Sequence, residues 1–417
     1  MIDPVRQEII ASAHTIVVKI GTGVLTRPDA SLDVDRIQSL VEEVHKILET
    51  GRKVVIVSSG AVGAGIGQLR LAKRPSDLPH LQAAASVGQS YLMRAYDEAL
   101  RRHGYHAAQI LLTAADVEDR SRYLNVRNTI LTLFDYKSIP IINENDTVSV
   151  DEIRFGDNDR LAAMVTNLLR APLLVILSVV DGLYTADPGS KGGGRRAEGG
   201  RPDRPRASRR HSGLPPSALR PPPSSHPPPS IISTVETVDD RIFELAGASK
   251  SELGTGGMST KLQAAQMCTR AGESVWIVGG KRHGVLEDVL AGKSIGTLFL
   301  AQGGALTSRK RWIGLTVRPR GRFVVDAGAR RAIERGGKSL LPIGVVDVVG
   351  NFEQGDVVTV CDPVGVEFAR GLTNYSADDA RKIKGLRTSQ IRSTPGSLPY
   401  DEVVHRDNLV VTNDQSG

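Results

Sequence analysis

The sequence predicts an α/β protein with a largely parallel sheet, followed by a small β-rich, barrel-like domain. Three observations lead there. Up to about residue 300, short apolar runs alternate with stretches of helical periodicity, which is the pattern of βαβ units. From Trp312 the texture changes to short β-favouring runs separated by turn residues. The densest polar cluster, residues 143–160, directly follows an apolar run, where open α/β sheets bind ligands.

Residues 14–20 (His-Thr-Ile-Val-Val-Lys-Ile) read as the first strand, followed by Gly21-Thr22-Gly23. Glycines at that place either form a tight turn or let backbone N–H groups approach a phosphate. Lys19 is the sharper signal, because a lysine inside an apolar strand is costly unless its ammonium meets an anion. Residues 33–50 carry Ile37, Leu40, Val41, Val44 and Ile47 at helical spacing, and Gly51 ends that helix. The strand 53–59 runs into Gly60, Gly63 and Gly65. Ser59 at its end suits a carboxylate or phosphate, or else the small residues serve helix packing. A long helix over 82–103, a strand over 107–112, Thr113 as cap or turn, a helix over 121–136 and a strand over 138–142 follow.

The polar cluster holds Asn143-Glu144-Asn145-Asp146-Thr147 and Gly156-Asp157-Asn158-Asp159-Arg160. The second half opens a helical pattern (Leu161, Met164, Val165, Leu168) that Asp157 or Asn158 could cap. So many amides and carboxylates in two short turns exceed what capping needs. A fifth strand covers 173–177 and ends at Ser178-Val179-Val180. A helix over 238–245 precedes Gly254-Thr255-Gly256-Gly257-Met258-Ser259-Thr260-Lys261, which enters another helix. A glycine-rich loop with a lysine in the first helical turn is a phosphate cradle, although it lacks Walker A spacing. A sixth strand covers 274–278.

Residues 189–230 break every pattern. Eleven of the 22 prolines lie in 188–230, with nine lysines and arginines against two acids, which accounts for the net charge of +7. The pI of 9.4 thus describes one segment and argues poorly for nucleic-acid binding by the whole chain. Such a segment cannot bury a core, and the expectation is a disordered insert. A basic anion-binding arm or a proline-rich ligand for a partner are the alternatives. In the C-terminal part, β runs are expected at 312–317, 322–325, 344–349, 356–361 and 367–371, with helices near 327–335 and 376–383. The start lacks a signal peptide, and no apolar run approaches the ~20 residues that span a bilayer. Two cysteines make neither a disulfide framework nor a zinc site alone, so a reducing cytoplasm is expected.

Lys19-Ile-Gly-Thr-Gly, Ser58-Ser-Gly-Ala, Asn143-Glu-Asn-Asp, Gly156-Asp-Asn-Asp and the 254–261 loop occur in this order. Together they resemble the glutamate 5-kinases of the amino acid kinase superfamily. The region with Arg309-Lys-Arg-Trp-Ile and Ser339-Leu-Leu-Pro-Ile-Gly resembles a PUA domain. The resemblance covers nearly the whole chain except 189–230. It implies a three-layer αβα sandwich, with an amino acid kinase domain over 1–300, a PUA-like domain over 310–400 and a C-terminal tail over 401–417. It further implies ATP-dependent phosphorylation of the L-glutamate γ-carboxylate, the first step of proline synthesis, with Mg²⁺. Lys19, Lys261 and Asp159 would be catalytic. Ser59, Asp146 and Asn158 would hold glutamate. Lys19, Gly21, Gly23, Ser178, Val179 and residues Thr255, Gly256, Gly257, Met258, Ser259, Thr260 and Lys261 would hold the nucleotide. No protein ligand to the metal is assigned. L-proline as feedback inhibitor, a homo-oligomer, coupling to glutamyl phosphate reductase and RNA binding by the PUA-like domain are the partners it brings into view. Two positions depart from the family pattern, which commonly has Gly-Thr-Ser at 21–23 and an aspartate after Ser178. A sibling kinase for aspartate, acetylglutamate or a nucleotide monophosphate is the nearest alternative.

Overall fold

A computed structural model of the chain describes residues 3–29, 31–148, 158–186, 229–246, 257–302, 310, 312–387, 390 and 400–412. Asp157, Thr255, Gly256 and all of the 189–230 segment except residues 229 and 230 lie outside the described residues.

The first unit is an eight-stranded sheet. Its strands are β1 (Thr15–Ile20), β2 (Lys53–Ser58), β3 (His106–Leu112), β4 (Ser138–Glu144), β5 (Leu173–Ser178), β6 (Thr234–Val235), β7 (Ser274–Gly279) and β8 (Thr297–Phe299). The order is β3-β4-β2-β1-β5-β7-β8-β6. Every pairing is parallel except β7 with β8. The expected largely parallel sheet is therefore present. Strands β6 and β8, only two and three residues long, are too short for a periodicity to register.

Helices cover both faces, giving three layers. They are α1 (Pro4–Ser12), α2 (Thr22–Leu25), α3 (Val34–Glu49), α4 (Ala61–Gln68), α5 (Leu78–Arg101), α6 (Ala114–Glu118), α7 (Arg120–Asp135), α8 (Asn158–Leu169), α9 (Asp240–Leu245), α10 (Met258–Ala271) and α11 (Val285–Leu290). Side chains alternate across a strand, so β1 serves both faces. Ile16, Val18 and Ile20 pack in the core under α3 and α5, while Val17 packs in the core with α8 and α10. Lys19, two residues after Val17, belongs to that second face. Thr113 caps α6 with a reciprocal capping box to Asp116. Helices α4 and α5 meet backbone to backbone. A Cβ on Gly65 would stand 1.7 Å from the Ala84 oxygen, and one on Gly88 would stand 1.9 Å from that of Ala61. The small residues after Ser59 thus do serve helix packing. No described helix is long and apolar enough to cross a membrane.

The second unit is a five-stranded sheet of β9 (Gly321–Val325), β10 (Val345–Gly350), β11 (Val357–Cys361), β12 (Glu367–Thr373) and β13 (Val404–Val411), in the order β10-β9-β11-β12-β13. Helices α12 (Ala327–Glu334) and α13 (Ala377–Ile383) accompany it. Its core is built on Phe323, Phe368, Tyr375 and Val404. Two expectations change. Residues 401–417 were expected as a tail, yet Val404–Val411 pairs with β12 as an edge strand. Residues 312–317 were expected as a strand, yet Trp312–Thr316 is a π-helical turn. The Trp312 indole explains the difference. It is buried, donates Nε1–H to the Val117 oxygen at 3.1 Å and takes part in the core of the first unit. A local β preference yields to that docking.

Candidate active site

The C-terminal ends of β1, β2, β4 and β5 lie side by side. Lys19 on β1, Asp159 in the first turn of α8 and Lys261 in the first turn of α10 converge there. The Lys19 Nζ stands 2.6 Å from Asp159 Oδ1, and the Lys261 Nζ stands 3.1 Å from Asp159 Oδ2. All three are buried, Asp159 being 1% exposed and the lysines 5% and 6%. The Thr260 hydroxyl donates to Asp159 Oδ2 at 2.9 Å. Burial alone would raise the Asp159 carboxyl. The charges of Lys19 and Lys261, with hydrogen bonds from Lys19 and Thr260, outweigh that and hold it well below the usual carboxylate range. It is ionised at any working pH, and the trio carries one net positive charge.

The trio's surroundings suit an anion. Helix α10 starts at Gly257, whose missing side chain cannot cap it, so the first-turn backbone N–H groups have no cap from that residue. Helix α4 likewise starts at an uncapped Gly60, in the left-handed conformation at φ 98°. At Gly21 a Cβ would sit 3.7 Å from the Lys19 ammonium, so the missing side chain opens the path to it. At Gly23 a Cβ would meet the Val179 Cγ1 at 2.7 Å. The two positions that depart from the family pattern therefore face each other, and Val179, 60% exposed, fills the space beside Gly23. Ser178 is buried, and its carbonyl accepts from Gly280 N at 2.7 Å. Met258 and Ser259 occupy the first turn of α10, with Ser259 exposed.

A second group lies on the other side of β1. The Asn158 amide nitrogen donates to the Ser59 hydroxyl at 2.9 Å, to the Asn143 Oδ1 at 3.2 Å and to the Ser58 carbonyl at 3.3 Å. Asn158, one of two cap candidates in the sequence, thus links β2, β4 and α8. Asn143 Nδ2 passes the network on to Gln89 Oε1 at 2.9 Å. Beneath Ser59, the Ser58 hydroxyl lies 3.0 Å from that of the fully buried Tyr96. Asp146 is set apart from this group. It lines a cavity of about 220 Å³ with Gln89, Glu144, Ser86, Gln109 and Thr147.

The sequence reading grouped Lys19, Asp159 and Lys261, which the structure brings together, and grouped Ser59, Asp146 and Asn158, of which Ser59 and Asn158 meet while Asp146 lines the neighbouring cavity. It missed Gln89, Tyr96 and the linking role of Asn143. The available signal for Gln89 was a polar residue on the apolar stripe of α5, between Ala85 and Leu92.

A nucleotide triphosphate fits the two buried ammonium groups, the opened face of Gly21 and the uncapped start of α10. For a divalent metal, no cluster of three His, Cys, Asp or Glu side chains exists among the described residues. A magnesium ion bound through phosphate oxygens and waters needs no such cage.

Fold and site together define an amino acid kinase. The model of the "Amino acid kinase family" matches residues 14–198, and that of the "PUA domain" matches residues 321–394. The chain is 45% identical over 406 residues to the glutamate 5-kinase of Citrifermentans bemidjiense, covering 97% of this chain and all of that one. It is 41% identical over 396 residues to that of Caldanaerobacter subterraneus subsp. tengcongensis, covering 95% of this chain and 97% of that one. A solved carbamate kinase from Giardia lamblia bound to AMP-PNP aligns with 17% identity and a TM-score of 0.46, over 70% of this chain and all of that one. The chain belongs to the glutamate 5-kinase family.

Proposed function

We propose that the protein transfers the γ-phosphoryl group of ATP to the γ-carboxylate of L-glutamate, giving L-glutamyl 5-phosphate and ADP in the first step of proline synthesis. The observation that carries this is the buried Lys19–Asp159–Lys261 trio beside the Ser59–Asn158 pair. It stands in a chain that aligns end to end with glutamate 5-kinases.

A glutamate side chain has an unperturbed pKa of about 4.3 and is already ionised at neutral pH. Its oxygen attacks the γ-phosphorus, the bond to the ADP oxygen breaks, and no general base is required. What the protein must supply is position and positive charge at the phosphoryl oxygens. Lys19 and Lys261 supply the charge. Asp159 aims both ammonium groups and takes no proton. Ser59 and Asn158 hold the attacking carboxylate, and Asp146 the ammonium end of glutamate. Gly21, Gly23, Ser178, Val179 and Thr255 to Lys261 line the nucleotide side. Magnesium, carried on the nucleotide phosphates, would neutralise part of their charge.

Residues 1–300 form the catalytic unit in this reading, and 310–400 the appended PUA domain. A cytoplasmic location, feedback inhibition by L-proline, a homo-oligomer and coupling to glutamyl phosphate reductase belong to the same proposal. Trapping the acyl phosphate with hydroxylamine tests it. Hydroxamate should form with ATP and glutamate and far less with aspartate; equal yields would overturn the substrate assignment.

A further inference from the structure

Gln89 lies midway along α5, is 8% exposed and faces the end of β4. Its amide orientation is set by a chain of hydrogen bonds that begins at the backbone. The Glu144 N–H can only donate, and at 2.9 Å it meets an atom of the Asn143 amide that must therefore be the oxygen. The Asn158 amide nitrogen donates to that same oxygen. Asn143 Nδ2 then faces Gln89, and the Gln89 atom 2.9 Å away must be its oxygen. The remaining Gln89 atom is Nε2, which has no hydrogen-bond partner among the described residues. A buried donor left unmade is costly, so such a group calls for an acceptor.

The cavity that Gln89 lines indicates which acceptor. Glu144 and Asp146 line it too, yet neither takes the Gln89 Nε2 proton. A cavity with acidic side chains and an unmet N–H donor matches a zwitterion, whose ammonium meets the acids and whose carboxylate meets the donor. The cavity also lies at the right place. Ser59 follows β2, next to Lys19 on β1, whereas Gln89 is bonded to Asn143 at the end of β4, the strand next to β2, and the cavity extends from there to β3. Adjacent strands are ~4.8 Å apart, within reach of a short dicarboxylic amino acid whose far carboxylate is at Ser59.

We propose that Gln89 is a substrate-binding residue. Its Nε2–H donates to the α-carboxylate of the bound amino acid and selects substrates in which that group is free. The inference rests on the functional reading above and deepens it. Gln89→Glu tests it. The variant keeps the oxygen that accepts from Asn143 and replaces the donor by a second oxygen, which repels a carboxylate and accepts from an amide.

The measurement is steady-state phosphorylation of L-glutamate and of its α-amide, isoglutamine, by the full-length protein. In Gln89→Glu the glutamate KM should rise at least tenfold, with the ATP KM and kcat within about twofold. The KM ratio of glutamate to isoglutamine should shift toward the amide by a larger factor. That ratio does not depend on how much of the variant is folded. Gln89→Met, of similar volume and without a donor, should raise the glutamate KM while changing the ratio less. If the unaltered protein phosphorylates glutamate and the ratio stays within twofold in Gln89→Glu, the amide meets only water and this inference alone is overturned. If the unaltered protein does not phosphorylate glutamate, the functional reading falls and this inference falls with it.

Discussion

Replacing Asp159 by asparagine puts the most weight on the site. The side chain keeps its shape, and Lys19 and Lys261 lose the carboxylate they share. At an effective dielectric of ~20, charges 2.6 and 3.1 Å apart attract by about 6 and about 5 kcal/mol. Most of that only offsets the desolvation of three buried charges. Removing one partner of a buried ion pair costs about 3–5 kcal/mol. Urea unfolding at pH 7 should show a loss of this size for Asp159→Asn. The pH dependence has a definite sign. A carboxyl held below its ordinary pKa of about 3.9 contributes stability that is present above that value and lost as pH falls through the folded one. The gap between wild type and variant should therefore stay constant from pH 5 to 8 and narrow below pH ~4. ATP should raise the melting temperature of the variant more than that of wild type, because its phosphates meet two lysines no longer neutralised. Turnover should fall sharply, because the lysines are no longer aimed. A variant within about 0.5 kcal/mol of wild type, or a gap that widens on acidification, would refute the reasoning.

Three further outcomes follow from the geometry. Gly23→Ala should raise the ATP KM, because its Cβ meets Val179 Cγ1 at 2.7 Å, and Val179→Ala should restore it in the double variant, a coupling read from a double-mutant cycle. Trp312→Ala should lower stability by about 3–5 kcal/mol in denaturant unfolding, because the indole is buried and donates to Val117, whereas an exposed substitution such as Val364→Ala should change it little. Replacing residues 188–228 by a short Gly-Ser linker should leave kcat and the melting temperature nearly unchanged. The flanks already pair through Thr185 N–H to the Ser230 oxygen at 2.9 Å and through a bridge between Tyr184 and Ile231.

The parts of the fold and site that could be read in the sequence were those whose signal is local. Strands β1, β2, β4, β5 and β7 are apolar runs with turns at their ends. Lys19 was visible because a lysine inside such a run needs a partner, and Lys261 because it follows a glycine-rich loop. What escaped was set by distance along the chain. The Asn143–Gln89 bond joins residues 54 apart, and the Asn158–Ser59 bond joins residues 99 apart, so neither leaves a periodic trace. Asn158 was one of two cap candidates, but a cap works through the side-chain oxygen, and its Oδ1 meets no partner among the described residues while its amide nitrogen turns to Ser59, Asn143 and Ser58. Residues 312–317 looked like a strand because Trp, Ile, Thr and Val favour one, and the buried Trp312 indole bonded to Val117 accompanies the π-helical turn found over 312–316 instead.

The same turn bears on how the site is held in place. Asn158 and Asp159 both project from the first turn of α8, so whatever fixes that helix fixes the Ser59–Asn158 pair and the lysine trio together. Three things fix it. The helix lies over β1, the strand that carries Lys19, and packs beside α10, the helix that carries Lys261. Arg160, the next residue, lies 3.6 Å from Glu118 of α6. The π-helical turn at Trp312 packs against both α6 and α8 while also touching β12 and β13 of the second unit. Val357 and Val410 of that unit belong to the same buried cluster as Leu161 and Val165 of α8. The C-terminal unit is thus built into the core that supports the helix carrying Asp159. Because packed interiors transmit strain, removing the second unit should disturb Asp159, although Lys19, Lys261 and Thr260, which bond its carboxylate, all lie in the first unit.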